Sequence, residues 1–330
     1  MTHTFHIPVL GLAFSIDSAI KVARYGISTV MSIVDDELIE RIRSYYCKLH
    51  QLSYTPIHKQ EEDYRANRIT AYLDLVKTLV DQQIKELRQQ PFTADSELTK
   101  YFQLLPDSHP SKPIYHAMEI ETNRAIKTEL QDLLINYLKP GDIDVNIMSK
   151  VDKINFKNGT PLAQHYSDAL AALRGFANSS LHSAVILSAG MNPHLYAYLA
   201  EIPAFFPKAD SSFEKKVVLK VSDFRSSLIQ AKYLAIRGVW VSEFRVESGL
   251  NCGGHAFATD GFLLGPILEE FKTKKQSLQA ELFTIYQDYW LGHGLQLTDS
   301  PQVKYTVQGG IGTAIEHQFL LNYYEFDAVG

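Results

Sequence analysis

The sequence is poor in cysteine, with only Cys47 and Cys252 among 330 residues. Two cysteines are too few for a disulfide framework, so stability must come from a conventional hydrophobic core. With 45% apolar and 21% charged residues, a chain of this length can bury such a core without disulfides or metals. The low cysteine content also favours a reducing compartment, and we expect a cytoplasmic protein.

The sequence also lacks a window of about 20 apolar residues, the length that a membrane-spanning helix needs. Residues 1–4 are not followed by the apolar stretch of a signal peptide, so we expect neither export nor membrane insertion. The formal net charge is −5, and lysines and arginines are not concentrated into the basic stripe typical of nucleic-acid binding. A small-molecule substrate is therefore the expected partner, and a homodimer remains open.

Eight short apolar or β-branched runs alternate with longer segments of helical pattern, which is typical of βα units around a parallel sheet. Most runs are continuously apolar, as expected for parallel strands covered on both faces. This pattern predicts an α/β fold, a (β/α)8 TIM barrel forming one domain. The predicted strands are 7–14, 27–33, 143–148, 184–188, 217–221, 239–244, 303–307 and 326–329, and the predicted helices between them are 15–25, 35–52, 163–178, 193–201, 224–237, 262–287 and 314–324.

Residues 53–138 interrupt this alternation, because they offer no convincing strand. Apolar residues recur at helical spacing in 69–87, so the segment reads as a helical insertion after the second βα unit. The barrel would then comprise residues 1–52 and 139–330. The insertion could serve as a lid on the substrate side or as an interface for dimerisation, and the sequence does not separate these roles.

A glycine-rich turn after the seventh predicted strand is the strongest candidate for phosphate binding. It reads Gly309, Gly310, Ile311, Gly312, Thr313 and leads into a predicted helix. Glycines let a ligand approach the backbone, and amides at a helix start favour a phosphate. A tight turn needs glycine in any case, but barrel enzymes often bind phosphate with the loops after strands seven and eight.

A long loop after the sixth predicted strand contains the candidate base, His255. Gly253 and Gly254 precede it directly, which lets a ligand approach the imidazole closely, and histidine is the usual base near neutral pH. The alternative is a histidine bonded to a backbone carbonyl within the turn. A nucleophilic pair of Cys252 with His255 is a weaker interpretation because no orienting acid is identifiable, and no spacing indicates a metal site.

Three further candidates lie at or just after the ends of predicted strands. Lys220 interrupts an apolar run, which favours contact with an anionic ligand, although a lysine reaching solvent would fit as well. Asn146 could bond a flavin edge or a neighbouring strand. Ser188 begins a small-residue turn that leaves room at the barrel mouth or simply starts a helix.

In this order along the chain, these segments resemble the nitronate monooxygenase family of FMN-dependent barrels. The turn from Cys252 to His255 resembles the family's histidine turn, and the turn at Gly309 and Gly310 resembles its phosphate turn. Lys220 and Asn146 match its flavin-contacting lysine and asparagine, and Ser188 opens a similar small-residue turn. The resemblance covers roughly residues 7–52 and 142–330.

This resemblance implies FMN as cofactor and an oxidoreductase activity of the monooxygenase type. His255 would deprotonate an acidic substrate carbon, Lys220 and Asn146 would hold and tune the flavin ring, and the glycine turn would bind the phosphate. FMN would take the electrons. A flavin-dependent enoyl reductase and a non-catalytic barrel that has lost flavin binding are the alternatives.

The chain departs from the family pattern at several places. The family lacks the segment 53–138, its opening glycine-rich flavin turn is largely missing here, and the loop before His255 is longer. The family also continues beyond the point that corresponds to Gly330. We therefore expect either a shortened version of a longer protein or an incomplete flavin site.

Overall fold

Eight parallel strands form a nearly closed barrel in the computed structural model, which describes residues 2–11, 14–33, 35–147, 152–188, 190–208, 210–247 and 264–330. Each strand pairs in parallel with the next along the chain, so the predicted TIM-barrel fold is confirmed. Around the barrel the strands are β1 (His6–Ile7), β2 (Ser28–Ile33), β3 (Ile143–Ile147), β6 (Ala184–Leu187), β7 (Lys216–Val221), β8 (Val241–Glu247), β9 (Lys304–Gln308) and β10 (Ala328–Val329), while β4 (Phe156–Lys157) and β5 (Thr160–Pro161) form a separate exposed hairpin.

The seam of the barrel lies between β1 and β10. A single parallel bridge joins Phe5 to Val329, and the Val329 amide donates to the carbonyl oxygen of Thr4 over 3.0 Å. The first strand is much shorter than the predicted run 7–14, and Pro8, which has no amide hydrogen to donate, follows it directly. β8 in turn extends beyond its predicted end at 244 to Glu247.

Eleven α-helices are formed by the described residues. Several begin where a side chain accepts a backbone N–H, as Asp35 does from Leu38 and Asp223 does from Ser226, which satisfies amides that the helix leaves free. None of the described helices has the length and apolar character to cross a membrane. The helices are α1 (Ser18–Val22), α2 (Asp36–Leu49), α3 (Tyr64–Leu87), α4 (Glu97–Leu104), α5 (Lys112–Ile120), α6 (Arg124–Ile135), α7 (Asp168–Asn178), α8 (Pro193–Leu199), α9 (Phe224–Ala235), α10 (Leu264–Gly292) and α11 (Ala314–Asn322).

Successive residues of the strands alternate between two apolar regions, as the pleat requires. On β7, Leu219 and Val221 belong to the main core between the barrel and its helices, whereas Val218 packs inside the barrel with Val30 and Ile186. Lys220 shares the inward side of β7 with Val218. The barrel interior therefore contains a small apolar centre, with polar side chains towards both ends.

The segment 53–138 divides into two parts. α3 packs against α1, α2 and α7, so it belongs to the helical layer around the barrel. α4, α5 and α6 enclose a separate small core and contact the end of the barrel where the strands begin, since the Tyr101 hydroxyl donates to the carbonyl oxygen of Lys139 over 3.1 Å. This cluster of three helices lies opposite the C-terminal ends of the strands, which is not the place of a lid.

Candidate functional site

Three of the residues proposed from sequence come together at the C-terminal end of the barrel. Asn146 lies near the end of β3, Ser188 directly follows β6, and Lys220 lies near the end of β7, on three neighbouring strands. The register pairs Asn146 with Ile186, and both precede the ends of their strands by one residue. All three side chains are buried or partly buried at the mouth of the barrel.

Lys220 is bound to a carboxylate that the sequence analysis did not single out. Its Nζ lies 3.2 Å from Oε1 of Glu247, and the Glu247 side chain is 1% exposed. Oε2 of Glu247 accepts a hydrogen bond from Nε2 of Gln308 over 2.6 Å. A buried carboxylate needs such partners, so Lys220 balances a protein charge before it meets any ligand.

The charged pattern of β8 could have pointed to Glu247. Glu243, Arg245 and Glu247 occupy every second position of that strand, and this spacing places three charged side chains on one face. Because the face turns into the barrel, each charge there requires a partner. Charges at alternate positions of an otherwise apolar strand are thus the sequence signal that was available.

The glycine turn after β9 has the backbone conformation that glycine permits. Gly309 and Gly310 have φ angles of 96° and 77°, in the left-handed region that other residues rarely adopt. A cavity of about 290 Å³ beside the turn is lined by Gly312 and Thr313 together with His317 and Gly330. The turn therefore lies beside a cavity at the C-terminal end of the barrel, next to the seam between β1 and β10.

The amides at the start of α11 are already occupied by Glu316. Its Oε2 accepts from the amide of Gly312 at 3.0 Å, the amide of Thr313 at 2.9 Å and the hydroxyl of Thr313 at 2.9 Å. Thr313 in turn caps the amide of Glu316, which completes a capping box. The hydrogen bonds from Gly312 and Thr313 lower the pKa of Glu316, so a fixed negative charge lies where the phosphate was predicted.

The candidate base and its two glycines lie outside the described residues. His255, Gly253, Gly254 and Cys252 all fall within 248–263, and the structure describes the chain up to Glu247 and again from Leu264. Their loop follows β8 directly. The assignment of His255 as the base remains a prediction from sequence.

The strand ends at the mouth of the barrel suit a flavin ring better than the glycine turn suits its phosphate. Buried or partly buried polar groups at or directly after the ends of four strands, at Asn146, Ser188, Lys220 and Gln308, offer donors and acceptors to the polar edge of a ring. At the turn, Gly310 has nothing within 4 Å of the position a Cβ would take, so a phosphate could approach its backbone. Gly312 and Thr313 can contribute their amides only if Glu316 turns away.

The comparisons with known proteins identify no relative. No protein-family model matches the chain, and neither a curated protein nor a solved structure matches it.

Proposed function

We propose that this chain is an FMN-dependent oxidoreductase of the type that nitronate monooxygenases represent, with its active site at the C-terminal mouth of the barrel. The observation that supports the proposal is the convergence of Asn146, Ser188 and Lys220 at the same end of the barrel as the turn Gly309 to Thr313. Barrel enzymes place their active sites at this end.

Each residue would have a distinct role. Asn146 and Ser188 hydrogen-bond the polar edge of the ring, and Lys220 provides the positive charge that favours a reduced, anionic flavin. Glu247 holds the Lys220 ammonium in place, and Gln308 fixes the Glu247 carboxylate. The backbone at Gly309 and Gly310 receives the phosphate.

The substrate side depends on the loop that carries His255. This imidazole takes the proton from an acidic carbon of a small substrate, and Gly253 and Gly254 let that substrate approach. Bound FMN would supply the electron acceptor for this reaction. Because the side chains at the mouth, such as those of Asn146 and Lys220, are polar, we expect a polar ligand rather than a purely apolar one.

The first experiment is an absorbance spectrum of the purified protein, followed by titration of the flavin-free protein with FMN. Riboflavin, which lacks the phosphate, is the matched control and should bind more weakly. Lys220→Met should weaken FMN binding, whereas His255→Ala should retain flavin and lose turnover of nitronates. If the wild-type protein takes up neither flavin, the proposal is wrong.

A barrel without flavin chemistry is the second candidate, and one observation favours it. Glu316 satisfies the Gly312 and Thr313 amides with the protein's own carboxylate, so this turn needs no phosphate to complete its hydrogen bonds. Such a protein would act by binding a partner. A colourless protein that does not bind added FMN, even after substitution of Glu316, would support this candidate.

A further inference from the structure

A second cavity lies at the opposite end of the barrel, where the strands begin. Its volume is about 310 Å³, and side chains from several neighbouring strands line it. Lys216 and Lys304, at the starts of β7 and β9, contribute to this lining. Among its other lining residues are His6, Ser28, Asp144, Glu243, Arg245 and Thr306.

A buried ion pair forms one wall of this cavity. Arg245, 3% exposed, donates from Nε to Oε1 of Glu243 over 2.8 Å, and its second nitrogen lies 2.7 Å from the same oxygen. The hydroxyl of Thr306 donates to this oxygen too, over 2.6 Å. Burial opposes ionisation of Glu243, but Arg245 and Thr306 outweigh it and lower its pKa. The two opposite charges cancel each other.

His6 faces the same cavity with unused hydrogen-bonding capacity. The residue is 4% exposed, and the side chain of Gln308 lies beside the ring, but neither ring nitrogen has a well-directed hydrogen bond within the described part of the chain. Burial and the nearby Arg245 lower its pKa to about 3, so the ring is neutral near pH 7. A neutral imidazole offers one donor and one acceptor. Gln308 can serve at most one of the two ring nitrogens, and a polar ligand in the cavity would satisfy the other.

The remaining charges favour an anion. The partly buried Asp144 carboxylate lies 3.8 Å from Arg245, and desolvation raises its pKa to about 7, so much of it is uncharged near neutral pH. Lys216 and Lys304 then face only Asp142 as an unpaired carboxylate in the cavity lining. Hydroxyl groups from Ser28 and several other serines add polar contacts that would suit a hydroxylated molecule.

We propose that this cavity is a binding site for a small hydroxy-carboxylate. The carboxylate lies towards Lys216 and Lys304, and the hydroxyl group bonds the imidazole of His6. The cavity lies at the other end of the barrel from the proposed flavin site, and His6 is the residue that lines both this cavity and the one beside the glycine turn. Its ligand could regulate the enzyme or be carried by the protein, and the proposal does not depend on flavin binding.

The test is calorimetric titration of the full-length protein with lactate, using lactamide as the neutral control of nearly identical shape. Lactate should bind with a Kd on the order of 1 mM, and lactamide at least about tenfold more weakly. Lys216→Gln and Lys304→Gln should each weaken lactate binding by about three- to tenfold, since each removes one cation. Lys85→Gln, on the exposed surface of α3, should not change it.

A further variant separates this cavity from the mouth of the barrel. Lys220→Met should leave lactate binding unchanged, because Lys220 lies at the other end of β7 from Lys216. Loss of lactate binding in a Lys220→Met variant that is still folded, as judged by its circular dichroism, would overturn the proposal. Equal binding of lactate and lactamide, no binding of lactate, or the same affinity in Lys304→Gln and Lys85→Gln would overturn it as well.

Discussion

Lys220 and Glu247 form an ion pair across the ends of two neighbouring strands, with Nζ and Oε1 3.2 Å apart, yet the two side chains are unequally buried. The Lys220 side chain is 17% exposed and the Glu247 side chain 1%. A long lysine can turn towards solvent when its partner is removed. The Glu247 carboxylate is too deeply buried to reach solvent in the same way.

The two halves of the pair should therefore respond differently to substitution. Lys220→Met leaves a buried carboxylate with Gln308 as its remaining partner, and we expect a loss of about 3–5 kcal/mol in the free energy of unfolding. Glu247→Gln removes the charge that cannot reach water, and the loss should be about 1–2 kcal/mol. Urea denaturation of both variants measures the difference. Equal losses would show that Glu247 is better solvated than the structure indicates.

Glu316 should compete with phosphate at the start of α11. Glu316→Gln keeps an oxygen that can complete the capping box but removes the negative charge, so the affinity for FMN should rise by about tenfold, or about 1.4 kcal/mol. Glu316→Ala also frees the amides of Gly312 and Thr313, at a cost of about 1 kcal/mol in stability.

Fluorescence titration with FMN and competition by inorganic phosphate measure both effects. Glu129→Gln, on the exposed face of α6, changes the net charge equally and should leave the FMN affinity unchanged. If Glu316→Ala binds FMN no better than Glu129→Gln does, the turn is not a phosphate site.

Asp144 and His6 should oppose each other in the dependence of stability on pH. The pKa of Asp144 is raised to about 7 by burial, so its contribution is complete below about pH 4 and is lost as pH rises to 7. The pKa of His6 is lowered to about 3 by burial, so its contribution is present above about pH 6.5 and is lost as pH falls towards 3. Their slopes have opposite signs between about pH 4 and 6.5.

Single substitutions should separate these two slopes. Relative to the wild type, Asp144→Asn should become progressively more stable as pH rises from about 4 to 7, by at most about 4 kcal/mol at about 1.4 kcal/mol per pKa unit. His6→Asn should instead gain relative stability as pH falls below about 6.5. Chemical denaturation across this range gives the differences, and parallel stability curves for wild type and variants would contradict the assigned pKa directions.

The barrel could be predicted from sequence because its signals are local. Runs such as 184–187 are continuously apolar, and helix starts such as Asp35 carry their own capping side chain. The pairing of Lys220 with Glu247 depends on the register between β7 and β8, which shifts near Val217 and Val218, and no local pattern specifies that shift.

The role of Glu316 could be predicted from the sequence. A Thr followed three residues later by Glu is the signature of a capping box, and Thr313 and Glu316 have this spacing. The glycines of the turn and its place in the barrel predict a phosphate site but do not show that a local carboxylate occupies its amides. Local hydrogen-bonding capacity therefore has to be counted before a helix start is assigned to a ligand.

The position of α3 could not be predicted, because helical periodicity shows an apolar face but not the surface that covers it. In the structure α3 packs closely on α7, and Gly175 makes this approach feasible. A Cβ at Gly175 would lie 2.8 Å from the carbonyl oxygen of Ala66 and 2.8 Å from Cβ of Ile69, both on α3. Neither the backbone of Ala66 nor Cβ of Ile69 can move independently of α3, so a methyl group at position 175 would force α3 and α7 apart.

Gly175→Ala should therefore destabilise the protein by about 1–3 kcal/mol, although alanine is the better helix former. Gly292→Ala is the matched control, because this glycine ends α10 and has nothing within 4 Å of its Cβ position. That substitution should be neutral or stabilising by up to about 1 kcal/mol. Thermal and urea unfolding compare the two. If Gly175→Ala were as stable as Gly292→Ala, α3 would not be held against α7, and its place in the helical layer around the barrel would be refuted.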